Sequence, residues 1–576
     1  MRRIVNPQQT RLFDSFDPVL TAQTQKLLLD DWPGVFRHVI LELMPVDRLG
    51  DQFHPSMGRP SKELYSMAGL ILLMEMMDWT KSQARVAYCL HMDVHYALNL
   101  EPVAQDLSLR TLERYILRFE KEELAWQVMH EVSVHLVKRL DLQIDQQRLD
   151  STHVFSNMAS FGRTRLMGVA IKRFLTQVKK HDPAGYDLLN EGVRQRYAPS
   201  VHQLFGETGR DRESRRVLRQ QVAEDMYELV QHFADDRRHS GRSTYKAMER
   251  IFYEQCEVHE DKVTVKPKTG GNVTQNPSDA DATYDGHKGP GYQVQLAETC
   301  HPENEAQLVT CALPQTAAAS DSNAPADVFE DLKESDLLPE QMLTDTLYNS
   351  DANVELAKRY GVELVGPTPS GPRDKKTIAQ LNIDDFNIDE ATEEVVCCPA
   401  GHAPESSVHD RQTGKTRTVM PESACSQCDY FEECPVQKGR AGYQVDHTAP
   451  QRRTAGRRRE EATDVFRQRY RVRSGIEGTN SSLKRRTGLG QLRVRGRPAV
   501  FRSILLKVTG WNILRASACA KMREIVYERA HTAIFYLYLR ALPVNTAHDD
   551  DGDGPRRVLV AFPCRLTDLH RSSLAA

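Results

Sequence analysis

The chain has 576 residues, of which 40% are hydrophobic and 27% charged, a composition typical of a globular protein with several domains. No apolar run reaches the ~20 residues that a membrane helix needs, and the N-terminal residues lack an apolar stretch suited to secretion, so we expect a cytoplasmic protein. The formal net charge of −3 excludes a uniformly basic chain.

Residues 1–135 have the pattern of a helical domain. Apolar residues recur at helical spacing in Leu64–Met77 and again in Leu112–Phe119. Ser108 is a suitable first cap for the second of these helices, and Gly58-Arg59-Pro60 is a basic turn that leads into the first. Short helices with basic residues at their starts are typical of DNA-binding modules, although small helical bundles with other roles are common.

An α/β region is predicted over residues 140–390. A strand around 146–155 is followed by a charged, helical insertion over 160–265. The remaining elements alternate between strand and helix, the order of an α/β core: strands at Tyr292–Thr299 and Leu308–Leu313, a helix at Ala326–Glu334, a strand at Gln341–Asp345, a helix at Val354–Tyr360 and a strand at Val362–Gly366.

Residues 391–445 are loop-rich and contain a dense group of cysteines. Four thiolates can hold a zinc ion tetrahedrally, and a structural zinc would fold a segment that has few apolar residues. The alternative is a set of free thiols on a loose insertion. The quartet that fits zinc best is Cys398, Cys425, Cys428 and Cys434, with Cys397 and His402 as substitutes.

Helical patterning resumes in residues 446–520, and residues 521–576 are expected to form a C-terminal tail. Between 452 and 497 there are 15 Lys or Arg and 4 Asp or Glu, an excess of 11 positive charges. Such an excess is typical of a phosphate-binding surface, with a solvated basic helix as the alternative.

Three acidic residues are candidates for a metal site. Asp150 lies in the first predicted strand, Asp345 ends a later strand, and Glu477 lies in the basic segment. Three carboxylates from a sheet and a neighbouring helix could hold hard cations such as Mg²⁺, and a pair of such ions supports in-line displacement at phosphorus. Taken singly, an aspartate at a strand end is more often a turn or cap residue.

The surroundings of Glu477 have a specific spacing, Tyr470-x2-Arg473-x3-Glu477-x6-Lys484. On one continuous helix these four residues would fall within about 60° of one face. Cations beside a carboxylate suit the binding of a phosphate near a metal. The alternative is a capping box from Ser474 to Glu477, which would begin the helix at Ser474 and leave Tyr470 and Arg473 outside it.

With these motifs the chain resembles the DDE-type insertion-sequence transposases, whose catalytic core is RNase-H-like. The Tyr-Arg-Glu-Lys spacing matches the signature of one branch of them. The runs Leu149–Thr152 and Leu343–Tyr348 resemble the strands of the first and second aspartate, and Gly488-Leu489-Gly490 and Trp511-Asn512 resemble the helices that follow the glutamate. The resemblance covers roughly residues 40–520.

The resemblance implies an α/β, RNase-H-like core with a helical N-terminal domain, a helical insertion and a cysteine-rich zinc insertion. It implies an enzyme that uses Mg²⁺ or Mn²⁺ to cut the terminal inverted repeats of its element and join the 3′ ends to target DNA. The partners would be double-stranded DNA and further copies of the chain, at the nucleoid. The implied metal ligands are Asp150, Asp345 and Glu477, and the implied DNA contacts are Tyr470, Arg473, Lys484, Arg485 and Arg486.

One departure from the family leaves the second aspartate open. The family often has a glycine before the tyrosine that follows this aspartate, whereas Thr346 and Leu347 fill the gap here, so Asp351 is the alternative to Asp345. Two other functions remain open. One is a metal-dependent nuclease without strand transfer, and the other is a zinc-containing DNA-binding protein without catalysis.

Overall fold

The computed structural model describes residues 1–5, 14–206, 211–260, 262–369, 381, 383–389, 392, 394–440 and 442–541, with side chains to residue 530. The chain forms two compact units, 1–530 and 531–576. Residues 521–541, expected within a tail, are helical, and the rest of that tail, 542–576, lies outside the described residues. No described helix is long and apolar enough to cross a membrane.

The part of the chain before the first strand is helical. Leu64–Met76 has apolar residues on all sides, which suits a buried helix, and Leu109–Lys121 buries one apolar stripe. Ser108 caps the latter by accepting from the Thr111 backbone N–H at 3.1 Å, as the sequence predicts. The α-helices are α1 (Ala22–Leu29), α2 (Trp32–Val35), α3 (Val46–Gly50), α4 (Leu64–Met76), α5 (Lys81–Leu90), α6 (Met92–Ala97), α7 (Leu109–Lys121) and α8 (Leu124–Leu140).

Strand β1 (Gln146–Val154) is followed by a mainly helical segment that has its own apolar core around Phe174 and Phe252. A short hairpin ends this segment. Its elements are α9 (Arg163–His181), α10 (Pro183–Asp187), α11 (Glu191–Arg196), α12 (Arg212–Phe233), α13 (Ser243–Gln255), β2 (Cys256–His259) and β3 (Lys262–Val265).

The main sheet is mixed. It is built from β1 and from β4 (Thr283–Asp285), β5 (Gly289–Thr299), β6 (Val309–Thr316), β7 (Gln341–Leu343) and β8 (Glu363–Val365), with α14 (Ala324–Glu334) before β7 and α15 (Asp351–Arg359) before β8. The order is β6-β5-β1-β7-β8, and β4 also pairs with β5. β5 is antiparallel to β1 and β6, whereas β1, β7 and β8 are mutually parallel, so the sequence predicted the α/β order correctly.

The cysteine-rich segment contains more strand than the sequence suggested. A four-stranded antiparallel sheet of order β11-β12-β14-β13 lies in the region expected to be loop-rich. The elements are β9 (Asn387–Ile388), β10 (Val395–Cys397), β11 (Ser406–Asp410), β12 (Lys415–Met420), α16 (Glu422–Cys425), β13 (Gln437–Gly439) and β14 (Gly442–Thr448).

Five helices complete the described chain: α17 (Ala449–Glu461), α18 (Asp464–Tyr470), α19 (Gly475–Arg486), α20 (Arg497–Ser517) and α21 (Ala520–Ala541). α20 packs against α4 and α8. The N-terminal helices, the main sheet and α20 therefore share a single apolar core.

A buried group of ions joins α4 to α20. Arg502 donates to Oε1 of Glu75 at 2.8 Å, Ser503 donates to Oε2 at 2.7 Å, and Lys507, only 2% exposed, lies 2.9 Å from Oδ1 of Asp78. Burial acts to raise the pKa of Glu75, but Arg502 and Lys507 outweigh it and the pKa lies below its ordinary value. We call these five residues the Glu75 network.

Candidate active site

Two of the predicted acids lie side by side on neighbouring parallel strands, Asp150 in the middle of β1 and Asp345 just after the end of β7. Arg148 of β1 pairs in register with Leu343 of β7. Asp150 and Asp345 each lie two residues further along, so their side chains are brought to the same level of the sheet. Asp345 begins a short 3₁₀ turn, Thr346–Tyr348, and leaves the strand at this point.

The guanidinium of Arg473 meets all three predicted acids. Its Nη2 lies 3.2 Å from Oδ1 of Asp150 and 4.0 Å from Oδ2 of Asp345, and its Nη1 lies 3.4 Å from Oε1 of Glu477. We call these four residues the carboxylate site. Acids separated by hundreds of residues thus converge on one positive charge.

The acids of the carboxylate site differ in exposure. The side chain of Asp150 is 19% exposed, that of Asp345 45% and that of Glu477 70%. Burial raises the pKa of Asp150 above its ordinary value, because it outweighs the lowering by Arg473, and Asp345 also raises it. The carboxylate site is therefore largely buried at Asp150, on the sheet, and exposed to solvent at Glu477.

The helix that carries Glu477 begins later than a continuous-helix interpretation predicts. A 3₁₀ turn over Arg471–Ser474 separates α18 from α19, so Tyr470 and Arg473 lie outside the helix of Glu477. The capping box is not formed either, since Ser474 Oγ donates to the carbonyl of Arg471. The prediction of one continuous helix was therefore wrong, although Arg473 still reaches Glu477.

A buried ion pair fixes the start of α19 against the sheet. Arg148 donates to Glu298 Oε2 at 2.7 Å and to the carbonyl of Val472 at 2.8 Å, and Thr479 donates to Glu298 Oε1 at 2.7 Å. Gly475 is required here, because a Cβ would collide with the guanidinium of Arg148. This contact holds the 3₁₀ turn that precedes α19 against β1.

Tyr470 contacts the backbone next to the second aspartate. Its hydroxyl donates to the carbonyl of Thr344 at 3.0 Å, directly before Asp345. Its ring stacks on Phe466 with 5.7 Å between the ring centroids. The phenol is thus half-buried and engaged with the backbone at the end of β7.

Asp351, the alternative second aspartate, lies elsewhere. It accepts from Nε and Nη2 of Arg453 at 3.2 and 2.6 Å, and Nη2 of Arg457 lies 3.5 Å away. These contacts join the start of α15 to α17. The acid that faces Arg473 is Asp345.

The predicted basic DNA contacts lie along the end of α19. Lys484 is half-buried; burial lowers its pKa, with Lys288 adding to the effect and Asp150 opposing it. Arg485 and Arg486 are exposed and have no ion pair with a described residue. Lys288, which sequence analysis missed, lies in the β4–β5 turn and approaches Ser151 Oγ at 3.4 Å.

Asn480 is a second residue that sequence analysis missed. It lies three residues after Glu477 on α19, and its Nδ2 donates to Oδ2 of Asp150 at 3.1 Å. Helical spacing from Glu477 could have suggested it. Arg148 could have been suggested in the same way, because it lies two residues before Asp150 on the same face of a strand.

The thiols of the predicted zinc quartet are mutual neighbours. The pKa of the Cys425 thiol is raised to about 11, mainly by burial and also by the neighbouring Cys434, Cys398 and Cys428. Cys398, Cys425 and Cys434 pack against the apolar cluster of this segment. Cys397 is not among the thiols that act on Cys425. His402 is exposed, and its carbonyl accepts from the Cys398 N–H.

The donor chemistry of both sites suits the metals that the resemblance implies. Hard carboxylate oxygens converge on a cationic group at the carboxylate site, and soft thiols gather in the cysteine segment. Among the described side chains, however, no three His, Cys, Asp or Glu are already at metal-binding distances. Binding of either ion would therefore need side-chain movements, and at the carboxylate site Arg473 would have to move away from the acids.

Residues 397–516 match a family model described as a transposase DDE domain. This segment of the chain is therefore similar to transposase DDE domains. The matched segment runs from Cys397 to the C-terminal part of α20 and includes Arg473 and Glu477, whereas Asp150 and Asp345 lie before it. No curated protein and no solved structure has significant similarity to the chain.

Proposed function

We propose that the chain is a DDE-type transposase that cuts the ends of its insertion sequence and joins the 3′ ends to target DNA by two-metal-ion phosphoryl transfer. The observation that carries the proposal is the convergence of Asp150, Asp345 and Glu477 on one guanidinium at the edge of the main sheet. Its partners would be double-stranded terminal repeats and target DNA. Because two ends must be joined together, we expect a homo-oligomer in the DNA complex, at the nucleoid.

An RNase-H-like core is supported by the topology of the main sheet. β6, β5 and β1 form an antiparallel meander at one side, and β7 and β8 follow in parallel with β1 after helical crossovers. The first acid lies on the central strand, the second at the end of its parallel neighbour and the third on a helix that packs against β1. This arrangement joins distant sequence segments into one carboxylate cluster.

Asp150, Asp345 and Glu477 would hold Mg²⁺ or Mn²⁺. When bound, these ions would activate the attacking oxygen and stabilise the leaving oxygen at phosphorus. Among the chain's own residues, Arg473 is placed to exchange its carboxylate partners for a DNA phosphate, to which a guanidinium can donate two hydrogen bonds. Lys484, Arg485 and Arg486 would bind the adjacent backbone, and they extend the positive surface along α19.

Assignment to the Tyr-Arg-Glu-Lys branch rests on the spacing and on the contacts of its members. Arg473 and Glu477 lie in the carboxylate site, and Asp150 partly opposes the lowering of the Lys484 pKa by burial, which is consistent with their proximity. Tyr470 contacts the backbone next to Asp345 rather than solvent. We therefore assign Tyr470 to the support of the second aspartate, with DNA contact at most through the edge of its ring.

A structural zinc ion is proposed for Cys398, Cys425, Cys428 and Cys434. Its support is the clustering of these thiols beside a small apolar cluster in a segment with few buried residues. The test is the metal content of the purified protein by elemental analysis. Wild type should carry about one zinc per chain and Cys425→Ser/Cys428→Ser much less, while Cys397→Ser should retain it. Zinc content below one tenth per chain in wild type would refute the site.

The proposed reaction is tested with the purified full chain and a labelled DNA containing the end of its own element, in Mg²⁺ or in EDTA. Asp150→Asn and Glu477→Gln are near-isosteric changes that remove a charge. Glu524→Gln, at an exposed acid of α21, is the matched control. We expect Mg²⁺-dependent nicking and 3′ ends joined to target DNA in wild type and the control, and neither product in the two site variants.

The other outcomes separate the alternatives. Nicking without joined ends would favour a nuclease. Tight binding of the DNA end without Mg²⁺-dependent cleavage would favour a non-catalytic DNA-binding protein. Cleavage that both site variants retain would refute the carboxylate site itself.

A further inference from the structure

Asn480 and Arg473 donate hydrogen bonds to the same aspartate, each to a different carboxylate oxygen. Arg473 donates to Oδ1 of Asp150 at 3.2 Å, and Nδ2 of Asn480 donates to Oδ2 at 3.1 Å. Glu477 and Asn480 are three residues apart on α19 and so lie on the same side of the helix. Helix α19, which carries Glu477, therefore also donates a hydrogen bond to Asp150.

The amide oxygen of Asn480 is left without a partner. The residue is 9% exposed, and its Oδ1 has no hydrogen bond to a described residue. The orientation of the amide is dictated by Asp150, because a reversed amide would point its oxygen at a carboxylate oxygen, and neither atom could donate. The oxygen consequently remains a buried acceptor beside the carboxylate site.

This arrangement is poorly suited to a residue that serves stability alone. Buried polar atoms are nearly always hydrogen-bonded, and an exception in a native fold indicates an unseen partner or a functional role. Leu483, three residues later on α19, fills its buried position with an apolar side chain. An apolar residue at 480 would likewise avoid the unpaired oxygen, but it would remove the side-chain hydrogen bond to Oδ2 of Asp150.

We propose that Asn480 is a positioning residue of the carboxylate site. It fixes the plane of the Asp150 carboxylate. Oδ1 of Asp150 then faces the guanidinium of Arg473, which also contacts Asp345 and Glu477. Because the amide is uncharged, it holds Asp150 and leaves the negative charge available to a divalent cation. The unpaired amide oxygen adds a hard acceptor of the kind that Mg²⁺ or its bound water prefers. This inference rests on the proposed function of the site.

The test measures cation binding directly. The full chain is titrated with Mn²⁺, and free Mn²⁺ is followed by electron paramagnetic resonance. Asn480→Ala removes the amide, and Asn480→Leu removes it with little change in volume. An effect that both variants share is therefore due to the lost amide and not to a cavity. Ser482→Ala, on another side of α19, is the matched control, and Asp150→Asn is the reference for a lost ligand.

We expect both Asn480 variants to bind Mn²⁺ at least about 10-fold more weakly, as for the loss of other residues that orient a metal ligand. Their melting temperatures and the Mn²⁺ affinity of Ser482→Ala should match wild type. If Asp150→Asn loses Mn²⁺ binding but Asn480→Leu stays within about twofold of wild type, the role of Asn480 is refuted while the metal site stands. If Asp150→Asn also binds as wild type does, the metal site and the inference both fail.

Discussion

Two clusters of acidic and basic side chains in this molecule differ in the ratio of negative to positive charges. In the Glu75 network a buried acid is surrounded by Arg502, Ser503 and Lys507, and its pKa lies below the ordinary value. In the carboxylate site three acids share one guanidinium, and burial raises the pKa of Asp150.

The difference indicates what each cluster is for. Removing one partner from a buried, fully paired cluster leaves an uncompensated charge, which is strongly destabilising. An excess of acids at a partly exposed position instead raises the energy of the folded protein until a cation arrives. We therefore read the Glu75 network as structural and the carboxylate site as functional, and the variants below test that distinction.

The largest effect is expected at the second aspartate. Asp345→Asn should lower the nicking rate by about 10³-fold or more without loss of thermal stability, because the residue is a half-exposed member of the carboxylate site. Asp351→Asn is the matched variant. It should retain cleavage and lower the melting temperature, since Asp351 pairs with Arg453. The reverse pattern would make Asp351 the second catalytic carboxylate.

Substitutions in the Glu75 network should lower the stability of the folded protein rather than the rate of DNA cleavage. Glu75→Gln leaves Arg502 and Lys507 short of a charge partner and should lower the free energy of unfolding by about 3 kcal/mol, measured by urea denaturation. Glu113→Gln removes an exposed ion pair with Lys81 and should cost less than about 1 kcal/mol. Equal losses in the two variants would contradict the structural role of the network.

The exposed cations at the end of α19 should affect DNA affinity alone. Arg485→Gln/Arg486→Gln should weaken binding on the order of 10-fold and reduce the slope of log affinity against log salt by about 2, since two phosphate contacts are lost. Arg212→Gln/Arg215→Gln, at exposed positions of α12, is the matched control for net charge. An unchanged salt slope in the α19 variant would exclude both arginines from the DNA surface.

The smallest effect is expected at Tyr470. Tyr470→Phe keeps the stacking on Phe466 and removes the hydrogen bond to the Thr344 carbonyl. Such a bond contributes about 1 kcal/mol, so the nicking rate should fall by about fivefold with DNA affinity unchanged. A loss of DNA affinity instead of rate would show that the phenol contacts the substrate directly.

Sequence patterns predicted the main sheet well because its signals are local. β1, β5, β6 and α14 each have a run of strand or helix formers long enough to be recognised. The sheet of the cysteine segment was missed, because β11 is largely exposed and the first four residues of β12 are polar even where they are buried, so neither strand has a clear apolar alternation.

The candidate site could be predicted only in part for a different reason. The Tyr-Arg-Glu-Lys spacing led to Arg473 and Glu477, and Asp150 and Asp345 followed from the strand motifs around them. The contact of Arg148 with the Val472 carbonyl and that of Asn480 with Asp150 join residues more than 300 positions apart. No local pattern contains such a contact, so neither contact could be predicted from the sequence alone.

The pairing of α4 with α20 has a consequence for how the protein is made. Glu75 and Arg502 are 427 residues apart, and α4 is apolar on nearly every side. At translation rates of roughly 5–20 residues per second, the ribosome would finish α4 roughly 20–90 seconds before its partner helix is made. During that interval the apolar helix α4 of the nascent chain lacks the helix that later covers it, so the supply of chaperones should influence how much folded protein each messenger RNA yields.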